Sequence, residues 1–307
     1  MRAIAFVLLL ASCTTATVPP PAPVEPVAPA APTTIAVPLP PILPDVQTKR
    51  EQELAAARSA YEANPNDADA LIWLGRRTAY LGRYQEAIDI FTEGIRKHPR
   101  DARMLRHRGH RYLSTRQYAK AEADLKKGWS MVRGKPDQVE PDGLPNARNI
   151  PTSTLQSNLL YHLGLARYLQ GDFAGARDAY VQALKVARNP DHLVSTSHWL
   201  YMSLRRLNRG EEAEKVADAI SHDMEVIENE AYHKLMLMYR GDIAPEELAA
   251  QDPDTVDGAT ILYGVANWYS YNGDAARARS LLQKLTAGKQ TFAFAYLAAE
   301  ADLARTK

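Results

Sequence analysis

Arg106-His107-Arg108-Gly109-His110-Arg111-Tyr112 places three arginines and two histidines within seven residues. On a helix His107 and His110, three positions apart, share a face and their side chains can approach one another. His162 and His198 are candidates to join them. Such a set could move protons or hold a metal, but metal centres need defined ligand spacings. The chain has no HExxH, no CxxC pair, no GxSxG and no P-loop, so neither a catalytic residue nor a metal or other cofactor is assigned. Arginine offers a different chemistry. Its guanidinium forks bind carboxylates, and tyrosines beside them stack or hydrogen-bond.

These residues must be positioned by helices, because small residues recur on a 34-residue ruler. Leu74-Gly75, Ala87 and Gly94 are followed 34 residues later by Arg108-Gly109, Ala121 and Gly128, and Pro65 by Pro99. Leu163-Gly164, Ala176 and Ala183 repeat the register further on. Small side chains where two helices cross let their backbones approach to about 8–9 Å. A 34-residue period of this kind resembles the tetratricopeptide (TPR) helix–turn–helix repeat. No sustained alternation argues for strands. The expected fold is all-α, a TPR-type α-solenoid forming a right-handed superhelix over 45–307. Its units fall at about 68–101, 102–135, 157–190, 194–224, 226–252 (degenerate) and 259–289, with a capping helix at 290–305.

Two places break the ruler. Arg108 takes a position normally held by a buried leucine, where an unpaired charge is costly. It is expected to pair with a carboxylate from a neighbouring helix or from the insertion that follows, Glu140 or Asp142 being favoured. That insertion, 136–156, makes Gly109 and Gly164 stand 55 residues apart, 21 beyond the period. Glu140-Pro141-Asp142-Gly143 and Leu144-Pro145-Asn146 are turn chemistry. The segment is either a lid over the groove near His110 and Tyr161 or a plain connector.

Composition narrows the function classes. The 307 residues are 46% hydrophobic and 24% charged with a formal net charge of +1, which argues against general nucleic-acid binding, since that needs a basic surface. The single cysteine, Cys13, follows Met1-Arg2 and an apolar run from Ala3 to Ala11. Residues 1–12 read as a lipoprotein signal peptide. Residues 13–44 read as a lipidated cysteine and a disordered proline-rich linker, since Thr14 to Pro44 holds 11 of the 20 prolines. Extended as polyproline II, that tether reaches about 95 Å at most.

The layout resembles bacterial TPR lipoproteins of the outer membrane, NlpI-like in its order of elements. Leu10-Ala11-Ser12-Cys13 is similar to a lipobox, and His198-Trp199-Leu200-Tyr201, Met238-Tyr239-Arg240-Gly241-Asp242-Ile243 and Tyr271-Asn272-Gly273-Asp274 add to the likeness. The resemblance implies lipidation at Cys13 and a place on the periplasmic face of the outer membrane. It also implies a scaffold or adaptor role, with a protein or peptide partner such as an envelope or peptidoglycan enzyme. By TPR register the first helix of each unit lines the concave groove, which places there Arg76, Tyr80, Arg103, Arg106, His110, Tyr161, Tyr168, His198 and Arg205. The competing reading is a ligand-binding or hydrolytic TPR protein. In it Arg106, His110 and His198 converge in a polar pocket closed by the 133–156 loop.

Overall fold

The computed structural model describes residues 42–305. The leader, Cys13 and nearly all of the linker lie outside the described residues. Among the described residues there are fourteen helices and, apart from one isolated bridge between Val139 and Thr154, no β-structure. The first half holds α1 (Pro44–Ala63), α2 (Ala68–Tyr80), α3 (Tyr84–Lys97), α4 (Ala102–Ser114), α5 (Tyr118–Val132), α6 (Leu155–Gln170) and α7 (Phe173–Val186). The second half holds α8 (Pro190–Arg206), α9 (Gly210–Asp218), α10 (Glu230–Arg240), α11 (Pro245–Leu248), α12 (Val256–Tyr271), α13 (Ala275–Thr286) and α14 (Phe294–Arg305).

The helix starts are written in the sequence. Asp67 and Asp101 cap α2 and α4 by accepting from the backbone two residues on, and Thr154 forms a capping box with Ser157 at the start of α6. Each such cap contributes about 1 kcal/mol. Asn189 caps α8, where Pro190 fits the first turn because its missing N–H has no partner to lose. The hairpin turns need a left-handed residue. Gly82 (φ 74°) and Gly171 (φ 84°) supply it without strain, whereas Arg116 (φ 58°) adopts it without glycine's freedom.

Within each hairpin the close approach is visible at the ruler glycines. A Cβ on Gly75 would stand 2.5 Å from the Phe91 ring, and one on Gly164 would stand 2.5 Å from the Tyr180 ring. Successive helices pack as neighbours from α1 to α10, the short α11 lies on α12, and α12 pairs with α10 and α13. The architecture is a TPR-type α-solenoid. Its main core runs from α4 to α14, built on Leu125, Leu159, Trp199, Leu235, Leu262 and Leu297, with smaller clusters beneath α1–α3.

Two corrections follow from this packing. Arg108 does pair, but with Asp124 of α5, at 2.6 and 2.8 Å in a two-pronged contact, and not with Glu140 or Asp142. The antiparallel hairpin sets α5 directly against α4, so the nearest carboxylate belongs to the same unit. The last helix does more than cap the stack. α14 packs on α13, α12 and also α6, and the Arg116 guanidinium donates to Glu300 at 2.8 Å and to the Thr291 carbonyl at 2.8 Å. The C-terminal segment is thereby clasped to the second hairpin.

Candidate functional site

The first helices of successive hairpins turn one face inward, and α4, α6, α8, α10 and α12 together wall a cavity of about 640 Å³. One side is closed by Leu144, Thr152 and Ser153 of the insertion, another by Gln290, Phe292, Ala293 and Phe294 ahead of and opening α14. The walls alternate rings with short polar side chains. His110 and His162 lie with ring centroids 4.5 Å apart, and Phe294 meets His162 edge-on at 5.4 Å. Behind them Trp199 donates its indole N–H to the Tyr161 hydroxyl at 2.8 Å, which is 3.2 Å from the Tyr232 hydroxyl. Asn158, Asn229, Ser195 and Thr260 line the remaining wall; the donors of Asn158, Ser195 and Thr260 are spent on Glu140 and Ser153, the Asp191 carbonyl and the Val256 carbonyl, which leaves their oxygens as acceptors.

The insertion is ordered across this face by contacts from its own turn residues. The Arg76 guanidinium donates to the Pro141 carbonyl at 2.8 Å, and Arg77 donates to the Gly143 carbonyl at 3.0 Å. Glu140 stands 2.9 Å from Arg106 and accepts from Asn158 at 2.9 Å. Glu228 accepts from Thr152 and from Asn146, fastening the far end of the segment to the start of α10. A second, smaller cavity of about 180 Å³ lies between the insertion and α2–α4, and both cavities share Arg106, His110, Leu144 and Ser153.

Burial sets the protonation of the imidazoles. His162 is pushed down to about 3 by burial and then by Arg106, and its Nδ1 donates to the Asn158 carbonyl at 2.6 Å. His107 and His110 are held well below the usual imidazole range, by burial first and by neighbouring arginines. All three are neutral near pH 7, so they act as hydrogen-bonding surfaces and not as cations.

The residues placed in the groove by register separate into two groups. Arg76, Tyr80, Arg106, His110 and Tyr161 line the two cavities. Arg103 points elsewhere, held by Asp101 at 2.6 Å and Asp69 at 2.5 Å. Tyr168 is fully buried and its hydroxyl lies 3.1 Å from that of Tyr263. His198 is buried against Tyr239, whose hydroxyl is 3.2 Å from its Nδ1, and burial pushes it down to about 3. Arg205 donates to the Tyr201 hydroxyl at 2.9 Å. The later helices cover positions that an open groove would expose: Tyr232 and Tyr239 of α10 close over His198, and α12 brings Tyr263 onto Tyr168 and the Tyr271 carbonyl to Arg205. The convergence of Arg106, His110 and His198 therefore does not occur.

Several lining residues lie outside that register. Arg111 stands in the smaller cavity, and Tyr232, Thr260, Phe292 and Phe294 stand in the larger. Phe294 opens the helix read as an end cap, which hid its inward position. Among the described residues no group of three or more His, Cys, Asp or Glu side chains could hold a metal, and no helix is long and apolar enough to cross a membrane.

Fold and inner cavity define a TPR-type helical-repeat protein. A family model described as tetratricopeptide repeat matches residues 157–190, which is α6, α7 and their flanks. No curated protein matches the chain. Similar solved structures include YrrB, described as a TPR protein with an unusual peptide-binding site, at 16% identity, covering 81% of this chain and 98% of that one, TM-score 0.44. A tetratricopeptide repeat protein from Parabacteroides merdae is 16% identical over 84% of this chain and 93% of its own, TM-score 0.48. PilF of Pseudomonas aeruginosa is 16% identical over 78% and 85%, TM-score 0.47.

Proposed function

We propose that the chain is a non-enzymatic interaction protein that takes a peptide segment of a protein partner into its larger inner cavity. The observation that carries this reading is the cavity itself, walled by five successive inner helices and lined by rings interleaved with amide and hydroxyl groups. Rings accept a partner's apolar side chains, while the oxygens of Asn158, Asn229, Ser195 and Thr260 suit main-chain N–H groups between them. Leu144 and Val256, 54% and 57% exposed at the cavity wall, add apolar surface for an entering chain.

The test is binding to a mixed hexapeptide library, compared with a Leu144→Asp/Val256→Asp variant. Both side chains are exposed, so folding should be little affected. The expected result is binding by the parent chain, weakened about tenfold or more in the variant. Absence of peptide binding by the parent would overturn the reading.

The same proposal places the domain in a bacterial envelope, on the periplasmic face of the outer membrane, NlpI-like in layout and anchored through Cys13. Leu10-Ala11-Ser12-Cys13 and the proline-rich stretch behind it support this reading. Membrane fractionation of the full chain against Cys13→Ser tests it: release of the variant to the soluble fraction is expected, and identical partitioning would refute it.

A further inference from the structure

The polar wall of the larger cavity is short of donors. To the spent donors of Asn158, Ser195 and Thr260 are added two more. The Thr152 hydroxyl donates to Glu228, and His162 gives its Nδ1 hydrogen to the Asn158 carbonyl, which leaves Nε2 as an acceptor. These side chains present mostly lone pairs to the space they line.

Two carboxylates border the same cavity: Glu228, two residues ahead of α10, and Asp257 in the first turn of α12. Both are exposed, and among the described residues neither has a cation within ion-pair distance. Glu228 accepts from the neutral Thr152 and Asn146. Arg106 enters the cavity from α4, but Glu140 matches its charge at 2.9 Å. A second observation is independent of the acids. His192 of α8 lines the cavity at 8% exposure, and among the described residues its buried Nε2 has no hydrogen-bond partner. A buried polar atom left in that state is costly to the fold, and a ligand that bonds it removes the cost.

We propose that this wall takes a cationic nitrogen of the bound peptide, an arginine side chain or the chain's amino terminus, beside Glu228 and Asp257. The inference rests on the peptide reading above and deepens it. A guanidinium or ammonium group carries donors and no acceptor, which complements a wall whose own donors are spent. The two carboxylates supply its counter-charge. Aromatic rings attract cations as well, and Tyr161, Tyr232 and Phe294 line the same space. Leu144 and Val256 at the wall then meet the apolar neighbours of the charged residue.

The experiment uses four hexapeptide libraries, all amidated: acetylated and uncharged, acetylated with one central Arg, the same with citrulline in place of Arg, and uncharged with a free amino terminus. Each is titrated at low and at high salt against the parent chain, Asp257→Asn, Asp257→Lys and Glu228→Gln. The Arg set should bind the parent about tenfold to hundredfold tighter than the citrulline set, or the free-amine set should exceed its acetylated counterpart by that margin. Which of them does so identifies the source of the cation. The margin should shrink at high salt, fall severalfold in Asp257→Asn and Glu228→Gln, and vanish in Asp257→Lys. Uncharged peptides should bind Asp257→Lys as they bind the parent, which shows the cavity intact. Equal binding of all four libraries by the parent overturns the cation site and leaves the peptide reading standing. Binding of none overturns both. A margin kept in Asp257→Lys and Glu228→Gln alike places the cation elsewhere and refutes the proposal.

Discussion

Acidification should destabilise this fold in steps that can be assigned to single imidazoles. His162 and His198 are held down to about 3 and His192 to about 4, burial being the first cause in each. An imidazole in the unfolded chain titrates near the ordinary value of 6.5. Below that value the unfolded chain binds protons that the folded chain refuses, so stability falls as the pH drops. Between about pH 7 and about pH 5 each of the three removes about 2 kcal/mol, or about 6 kcal/mol together. That is a large share of the roughly 5–15 kcal/mol typical of a domain. His107 and His110 shift in the same direction and add to the loss. The assay is urea denaturation followed by circular dichroism at both pH values, on the parent and on His198→Leu. His198 is the cleanest site because burial is the sole cause of its shift. The difference between the two pH values should shrink by about 2 kcal/mol in the variant, whatever its stability at the higher pH. A parent whose stability changes by less than about 1 kcal/mol, or a variant with an unchanged pH dependence, would refute the reasoning.

Three further outcomes are expected. Arg108→Met should cost about 3–5 kcal/mol, because it leaves the largely buried Asp124 carboxylate without its partner. The double variant Arg108→Met/Asp124→Leu should recover most of that loss by denaturant titration. Gly164→Val should cost about 1–3 kcal/mol or more, since its Cβ would stand 2.5 Å from the Tyr180 ring, and an unchanged melting temperature would contradict the packing described. Arg116→Gln should speed hydrogen exchange across 290–305 by removing the ion pair to Glu300. Exchange that stays as slow as in the parent would show that α14 is held by its apolar contacts and by the Asp302 and Arg305 hydrogen bonds, without need of this ion pair.

The helical-repeat class was legible because it rests on local chemistry. The Leu-Gly pairs and following alanines mark helix crossings within one hairpin, and a crossing is fixed by residues only about 16 apart. The Arg108 contact shows where that legibility stops. Its odd place in the register pointed to a partner, yet the partner is Asp124 on the facing helix, and the choice among nearby acids needed the actual packing. Tyr168 and His198 show a larger limit. Repeat register places them on the inner face, but whether that face is open depends on how closely later helices approach, here Tyr239 of α10 on His198 and Tyr263 of α12 on Tyr168. The wall formed by Glu140, Pro141 and Gly143 was foreshadowed only by turn residues, since its anchoring to Arg106, Arg76 and Arg77 is non-local. Arg111 belongs to the Arg106–Tyr112 run but stands off the register positions assigned to the groove, so its place at the smaller cavity was not legible.

The central claim is that the inner helices, and not the outer ones, meet a peptide. A binding hexapeptide from the libraries, carrying a photoreactive benzophenone at its middle position, tests this most directly by cross-linking and peptide mapping. Adducts are predicted on the inner faces of α6, α8, α10 or α12 and on the 290–294 segment, among them Tyr161, Tyr232 and Phe294. Adducts confined to α5, α7, α9 or α13 would contradict the account.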